Sequence, residues 1–195
     1  MKTNISGLII FICGIFLIYD LQAQVQTYRP AEDSYVRVTG TSTLHDWELV
    51  SEDISSELRF GTGDDGQPEK IESVSFTLNK KTLKSDKSGL DRRAYEALDA
   101  NRHPEIVFHA NGSGRLEKNG DKYQINSTGE LTLAGTKREI NVQATCINGE
   151  DKKLVCSGSQ KLKMSDFDID PPVMMLGALR TGDEVTVSYS IVFVQ

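Results

Sequence analysis

The residues with the most chemical promise are a glycine loop, three aspartates, three histidines and two cysteines. Gly61-Thr62-Gly63-Asp64-Asp65-Gly66 has the GxGxxG spacing that cradles a pyrophosphate. That chemistry needs a helix opening directly after the glycines. Here Gln67, Pro68 and a strand pattern follow, and two aspartates repel phosphate, so the segment reads as a loop. Asp166, Asp168 and Asp170 begin like a calcium loop, but Pro171 stands where that loop requires Gly and Gly177 where it requires Glu. On a strand the three would share one solvated face. His45, His103 and His109 are far apart and lack metal-ligand spacing. Asn111-Gly112-Ser113-Gly114 lacks the strand-to-helix setting of a nucleophile elbow. Nothing here points to an enzyme, and no metal or cofactor is expected.

The cysteines point to structure instead. If residues 137–147 and 153–164 form a hairpin turning at 151, Cys146 falls opposite Cys156, on the same face as Val142, Ala144, Leu154 and Leu162. Directly opposed residues of a non-hydrogen-bonded pair lie ~4.5 Å apart at Cα, within disulfide reach. The spacing predicts a disulfide; the alternative is two buried free thiols. Thr41–Trp47 holds the only tryptophan, beside His45 and Asp46. A large apolar ring with one N–H donor suits either a pocket mouth or a plug at the end of a core.

The elements that must position these residues are mostly strands. Period-2 alternation runs through Val36/Val38, Ile54/Leu58/Phe60, Val74/Phe76/Leu78, Tyr123/Ile125/Leu131/Leu133, Ile140/Val142/Ala144/Cys146, Leu154/Cys156/Leu162/Met164 and Val185 to Phe193. Pro104–Ala110 adds another run. Turn residues separate them at Gly61–Gly66, Asn119-Gly120-Asp121, Gly135-Thr136 and Asn148-Gly149-Glu150. About eight strands, mostly joined as hairpins, describe an all-β, antiparallel sheet that closes on itself or folds into a sandwich. Between them, Leu90, Ala94 and Leu98 recur at helical spacing over Ser88–Arg102, and Ser88 with Asp91 resembles a capping box.

Composition bounds the rest. The chain has 195 residues, 22 Lys+Arg against 28 Asp+Glu, and a net charge of −6. A nucleic acid is therefore excluded as an expected partner. Met1–Ala23 reads as a signal peptide: Lys2 precedes the apolar run Leu8–Ile18, too short to span a bilayer, which takes ~20 residues. Stable membrane insertion is not expected, and cleavage after Ala23 leaves one domain, 24–195, destined for the periplasm or for secretion. Cys13 lacks the preceding small residue of a lipidation site. Removing the signal lowers the apolar share from 38% to about 34%, lean beside the usual ~45–50% that also counts Gly. On the inward parity, Ser56, Ser127, Gly129, Ala144 and Gly158 are small. They leave either a void that an elongated apolar ligand would fill or room for large opposing side chains.

The segments Leu98–Phe108 (LDANRHPEIVF), Gly129–Gly135 (GELTLAG) with Thr136-Lys137-Arg138, Met164–Ile169 (MSDFDI) and Gly182-Asp183-Glu184-Val185 carry a resemblance. In order and spacing, over most of 34–194, they resemble the YceI-like proteins, exported barrels that bind polyisoprenoids and lipids. The resemblance implies an eight-stranded antiparallel, lipocalin-like barrel with one short helix between strands. It implies a non-enzymatic protein holding an isoprenoid or fatty-chain lipid. Phe76, Leu78, Phe108, Leu131, Leu133, Phe167, Met174, Met175 and Leu176 would wall the cavity, with Trp47 at its mouth. The alternative is an interaction or stress-response module with a packed, ligand-free barrel. Monomer and homodimer both remain open.

Overall fold

The computed structural model describes residues 25–112 and 114–195. The expected signal peptide, its cleavage site and Cys13 lie outside them. The strands are β1 (Val25–Pro30), β2 (Tyr35–Ser42), β3 (Trp47–Ser51), β4 (Ser55–Thr62), β5 (Pro68–Asn79), β6 (Glu105–Asn111), β7 (Gly114–Asn119), β8 (Lys122–Leu133), β9 (Thr136–Asn148), β10 (Leu154–Lys163), β11 (Val173–Met174) and β12 (Leu179–Val194). One helix, α1 (Ser88–Ala97), lies between β5 and β6.

Three pairs of these strands are halves of longer staves. β1 and β2 both run along β12, with Pro30 facing Phe193 and Tyr35 facing Ser190. The stave breaks at Asp33, whose φ is 69°. β3 and β4 follow the same course, β3 on β2 and β4 on β1. β6 and β7 both pair with β8, and the break between them holds Gly112 at φ 62°. Counted as staves, the sheet is a closed eight-stranded antiparallel barrel in which each stave pairs with its sequence neighbour, and Arg29 opposite Val194 closes the ring. The alternation read from the sequence is the reason: on β8, Tyr123, Ile125 and Ser127 are buried while Lys122, Gln124 and Asn126 face water.

The two ends differ. One is closed by a core of Phe60, Tyr123, Leu154, Phe193 and the joined Cys146 and Cys156. Cys146 lies opposite Cys156 in the β9–β10 register, with Cα atoms 4.0 Å apart. Tyr28 packs its ring against Phe60 at 5.8 Å, and the Tyr123 hydroxyl donates to Gln67 Oε1 at 3.1 Å. The other end carries the connections 43–46, 80–104 and 164–178.

Helix α1 lies over that second end, and Leu90, Ala94 and Leu98 pack against Val36, Leu49, Leu78 and Leu83. The expected capping box does not form. Ser88 is already helical, and Lys87 at the cap makes no side-chain bond. The Asp91 carboxylate instead accepts from the Ser85 backbone N–H (2.8 Å) and hydroxyl (2.7 Å), because the preceding turn brings Ser85 back over the first helical turn. The helix is anchored at its other end by Lys80, whose side chain is fully buried. Its ammonium donates to the Leu98 carbonyl (2.9 Å) and the His103 carbonyl (2.6 Å).

Two further expectations need correction. Met164 and the three aspartates do not continue a strand: Met164–Phe167 is a 3₁₀ turn and Asp168 has φ 56°. The turn is held by Ser165, which donates its N–H and hydroxyl to the Asp183 carboxylate, and by Thr136, whose hydroxyl donates to Asp168 Oδ2 at 2.9 Å. The β9–β10 ladder also stops early. Among the described residues it runs only from Asn148 opposite Leu154 to Thr145 opposite Ser157, after which the two strands part.

Candidate functional site

Each stave sends alternate side chains inward, and together they enclose a cavity of about 880 Å³. That volume lies within the ~300–1,000 Å³ of small-molecule sites, so the interior is not the packed core of the alternative reading. Its walls are aliphatic and aromatic: Val36 and Val38 from β2, Val74, Phe76 and Leu78 from β5, Ile106 and Phe108 from β6, and Leu131 and Leu133 from β8. Ile140, Val142, Leu162, Val185 and Val187 complete it. The period-2 alternation of the sequence puts these last residues on the inward parity, although they are not among the expected wall residues.

The expected wall residues separate into four groups. Phe76, Leu78, Phe108, Leu131 and Leu133 line the barrel, while Trp47, Met174 and Met175 line its mouth. Trp47 lies across Gly40, its register partner, and its indole N–H donates to the Thr41 carbonyl at 3.1 Å. Phe167 does not line the cavity. It is buried with Ile169, Phe108, Ala110 and Leu131, where the 3₁₀ turn presses it against the parting of β9 and β10. Leu176 faces solvent and is fully exposed. Met175, Leu176 and Gly177 all have positive φ (52°, 52° and 99°), a turn that throws Leu176 outward.

The small residues serve both purposes that sequence reasoning allowed. Ser56, Ser127 and Ala144 open onto the cavity. The glycines instead make room for aromatic side chains. A Cβ on Gly129 would meet the Phe108 ring at 2.7 Å, and one on Gly158 would strike Tyr189. Tyr189 lies over Gly158, its opposite number on β10, and its hydroxyl donates to the Gln143 carbonyl on β9 at 2.8 Å. Burial pushes its phenol up to about 12.

Polar atoms inside are few. Ser56 Oγ donates to the Ser75 carbonyl at 2.8 Å, and Ser127 Oγ is buried with no partner among the described residues. Among the described residues, no group of three His, Cys, Asp or Glu side chains is placed to hold a metal. His109 faces outward, and the His45 Nδ1–H donates to the Asp46 carbonyl at 2.7 Å. No helix among the described residues is long and apolar enough to cross a membrane.

Beside the main cavity, the parting of β9 and β10 leaves a lateral cleft of about 520 Å³. Ile140, Gln160, Leu162 and Lys163 line both spaces and form the partition between them. The sequence offered no signal for this cleft, because both strands keep their alternation through the parting.

A family model described as the YceI-like domain matches residues 25–193. Among solved structures, Burkholderia cenocepacia BcnA superimposes with a TM-score of 0.64 at 19% identity, covering 82% of this chain and 95% of that one. A polyisoprenoid binding domain from Saccharophagus degradans, implicated in plant cell wall breakdown, gives 0.64 at 10% identity, covering 87% and 98%. A Campylobacter jejuni YceI protein gives 0.55 at 17% identity, covering 98% and 90%. Comparison with curated proteins gives no match.

Proposed function

Since the chain belongs to the YceI-like family, we propose that it is an exported, non-enzymatic carrier holding the isoprenoid or fatty chain of an amphiphilic lipid inside its barrel. The observation that carries this reading is the apolar cavity of about 880 Å³, closed at the disulfide end. The shared fold of a Saccharophagus degradans domain described as polyisoprenoid-binding supports the same ligand class. Burying ten methylenes at ~0.8 kcal/mol each contributes ~8 kcal/mol before ordering costs, the scale of micromolar binding. Met174 and Met175 at the mouth suit a flexible chain, being unbranched and adaptable.

The direct test is mass spectrometry of an organic extract of the purified protein, with Trp47 emission followed as isoprenoids or fatty acids are added. A long-chain amphiphile in the extract is the expected result. Lipid-free protein whose emission ignores every added chain overturns the carrier reading.

Export to the periplasm, or beyond it, rests on the composition of residues 1–23 and on the paired cysteines, since disulfides persist in oxidising compartments. Intact mass of the protein recovered from its cells checks both. Loss of Met1–Ala23 and two alkylation-resistant cysteines are expected; a full-length chain with three reactive thiols, Cys13 included, refutes export.

A further inference from the structure

The charged residues lining the cavity are Lys87, Arg93, Lys163 and Arg180, and no Asp or Glu is among them. In a chain of net charge −6 this is a pronounced local reversal of sign. All four stand at the open end: Lys87 and Arg93 on and beside α1, Lys163 at the end of β10, and Arg180 at the start of β12. None forms an ion pair with a described residue, although exposed cations elsewhere, such as Arg37, Arg102 and Lys137, are paired with carboxylates.

Three of the neighbouring acids are turned to other work. Asp91 is buried and accepts from Ser85, and Asp183 accepts from Ser165, which holds its carboxyl below the usual range with Lys163 contributing. Asp168 accepts from Thr136. With exposed charges screened over ~8 Å at physiological ionic strength, cations on the rim outweigh the net charge of the distant surface.

The closed end fixes the direction of loading. Phe60, Tyr123, Phe193 and the disulfide block passage, so an amphiphile enters tail first and leaves its head at the mouth. The geometry points to an anionic head group, a carboxylate or a phosphate ester, as the chemistry this carrier selects. The inference rests on the carrier reading and adds the head-group class to it. Lys87, Arg93, Lys163 and Arg180 are the residues that recognise the anion.

The test compares chains that differ only at the head: palmitate against hexadecanol, and geranylgeranyl diphosphate against geranylgeraniol, each titrated into the full chain at low and physiological salt. The anion of at least one pair binds roughly tenfold or more tighter than its alcohol, the scale of one charge-assisted hydrogen bond, and the preference shrinks with salt. Preference within the palmitate pair alone assigns a carboxylate head; preference within the diphosphate pair assigns a phosphate. The combined variant Lys87→Gln, Arg93→Gln, Lys163→Gln, Arg180→Gln loses the preference and keeps alcohol binding, which shows that it is folded. Alcohols that bind as tightly as anions, or a preference that survives the four substitutions, overturn the inference while leaving the carrier reading intact. Failure of all four chains to bind overturns the carrier reading itself.

Discussion

Tyr189 shows how one side chain can serve wall, packing and polar satisfaction together. Its ring covers Gly158 and its hydroxyl reaches a β9 carbonyl that the parted β10 leaves unserved. Burial raises its phenol from 10.0 to about 12, so the folded state holds the proton more tightly than the unfolded chain. Its contribution to stability is therefore complete below pH 10 and is lost as pH rises through about 12. Unfolding free energy measured across that window should fall in the natural protein, and Tyr189→Phe should flatten the fall. Tyr28, whose phenol burial also raises, adds to the fall. At this scale the sequence was only half legible. Gly158 could be read as small and inward-facing, but that a tyrosine lies across it depends on the registers of three strands at once. The opposition of the two cysteines was legible, because two cysteines on one parity around one turn leave a single opposed register, while the bond between them was one of two readings that the sequence allowed.

Among the elements, the β9–β10 hairpin and α1 were foreseen, while the broken staves were not. A stave interrupted at Asp33 or Gly112 looks in sequence like two unrelated short runs, or like nothing, as with β1 and β7. The anchor of α1 was hidden for another reason: lysine is ordinarily a surface residue, so Lys80 read as one more charge in a turn. Desolvation lowers its ammonium from 10.5, opposed by the nearby Asp99. The unfolded chain thus binds more protons, and stability gains from this group as pH rises toward 10.5. Lys80→Met should destabilise the protein by about 1–3 kcal/mol, the cost of orphaning the carbonyls of Leu98 and His103. Denaturant unfolding measures the loss. Hydrogen exchange should place it first at residues 98–104, where the helix rejoins the barrel.

For the whole molecule, the lean apolar share of the sequence has its counterpart in a barrel built around space. Ser127 is the most economical place to test that. Its hydroxyl is buried in the wall with no partner among the described residues. Ser127→Leu should raise stability by about 1 kcal/mol by removing an unsatisfied group and filling void. The same change should weaken binding of long chains at least tenfold, roughly 1.4 kcal/mol, while sparing short ones. Calorimetry with a chain-length series checks both, and a variant that binds all lengths equally well would separate the void from the ligand's path. The parting of β9 and β10 has a consequence of another kind. A barrel normally abolishes strand edges, yet here the β9–β10 ladder ends after Thr145 and Ser157 and leaves two stretches of edge, partly covered by the Met164–Phe167 turn. Along them stand the exposed charges of Lys137, Arg138 and Glu139 on one side and Lys161 and Lys163 on the other. An added strand would have to bury or displace that fringe, so these residues guard the chain against edge-to-edge aggregation.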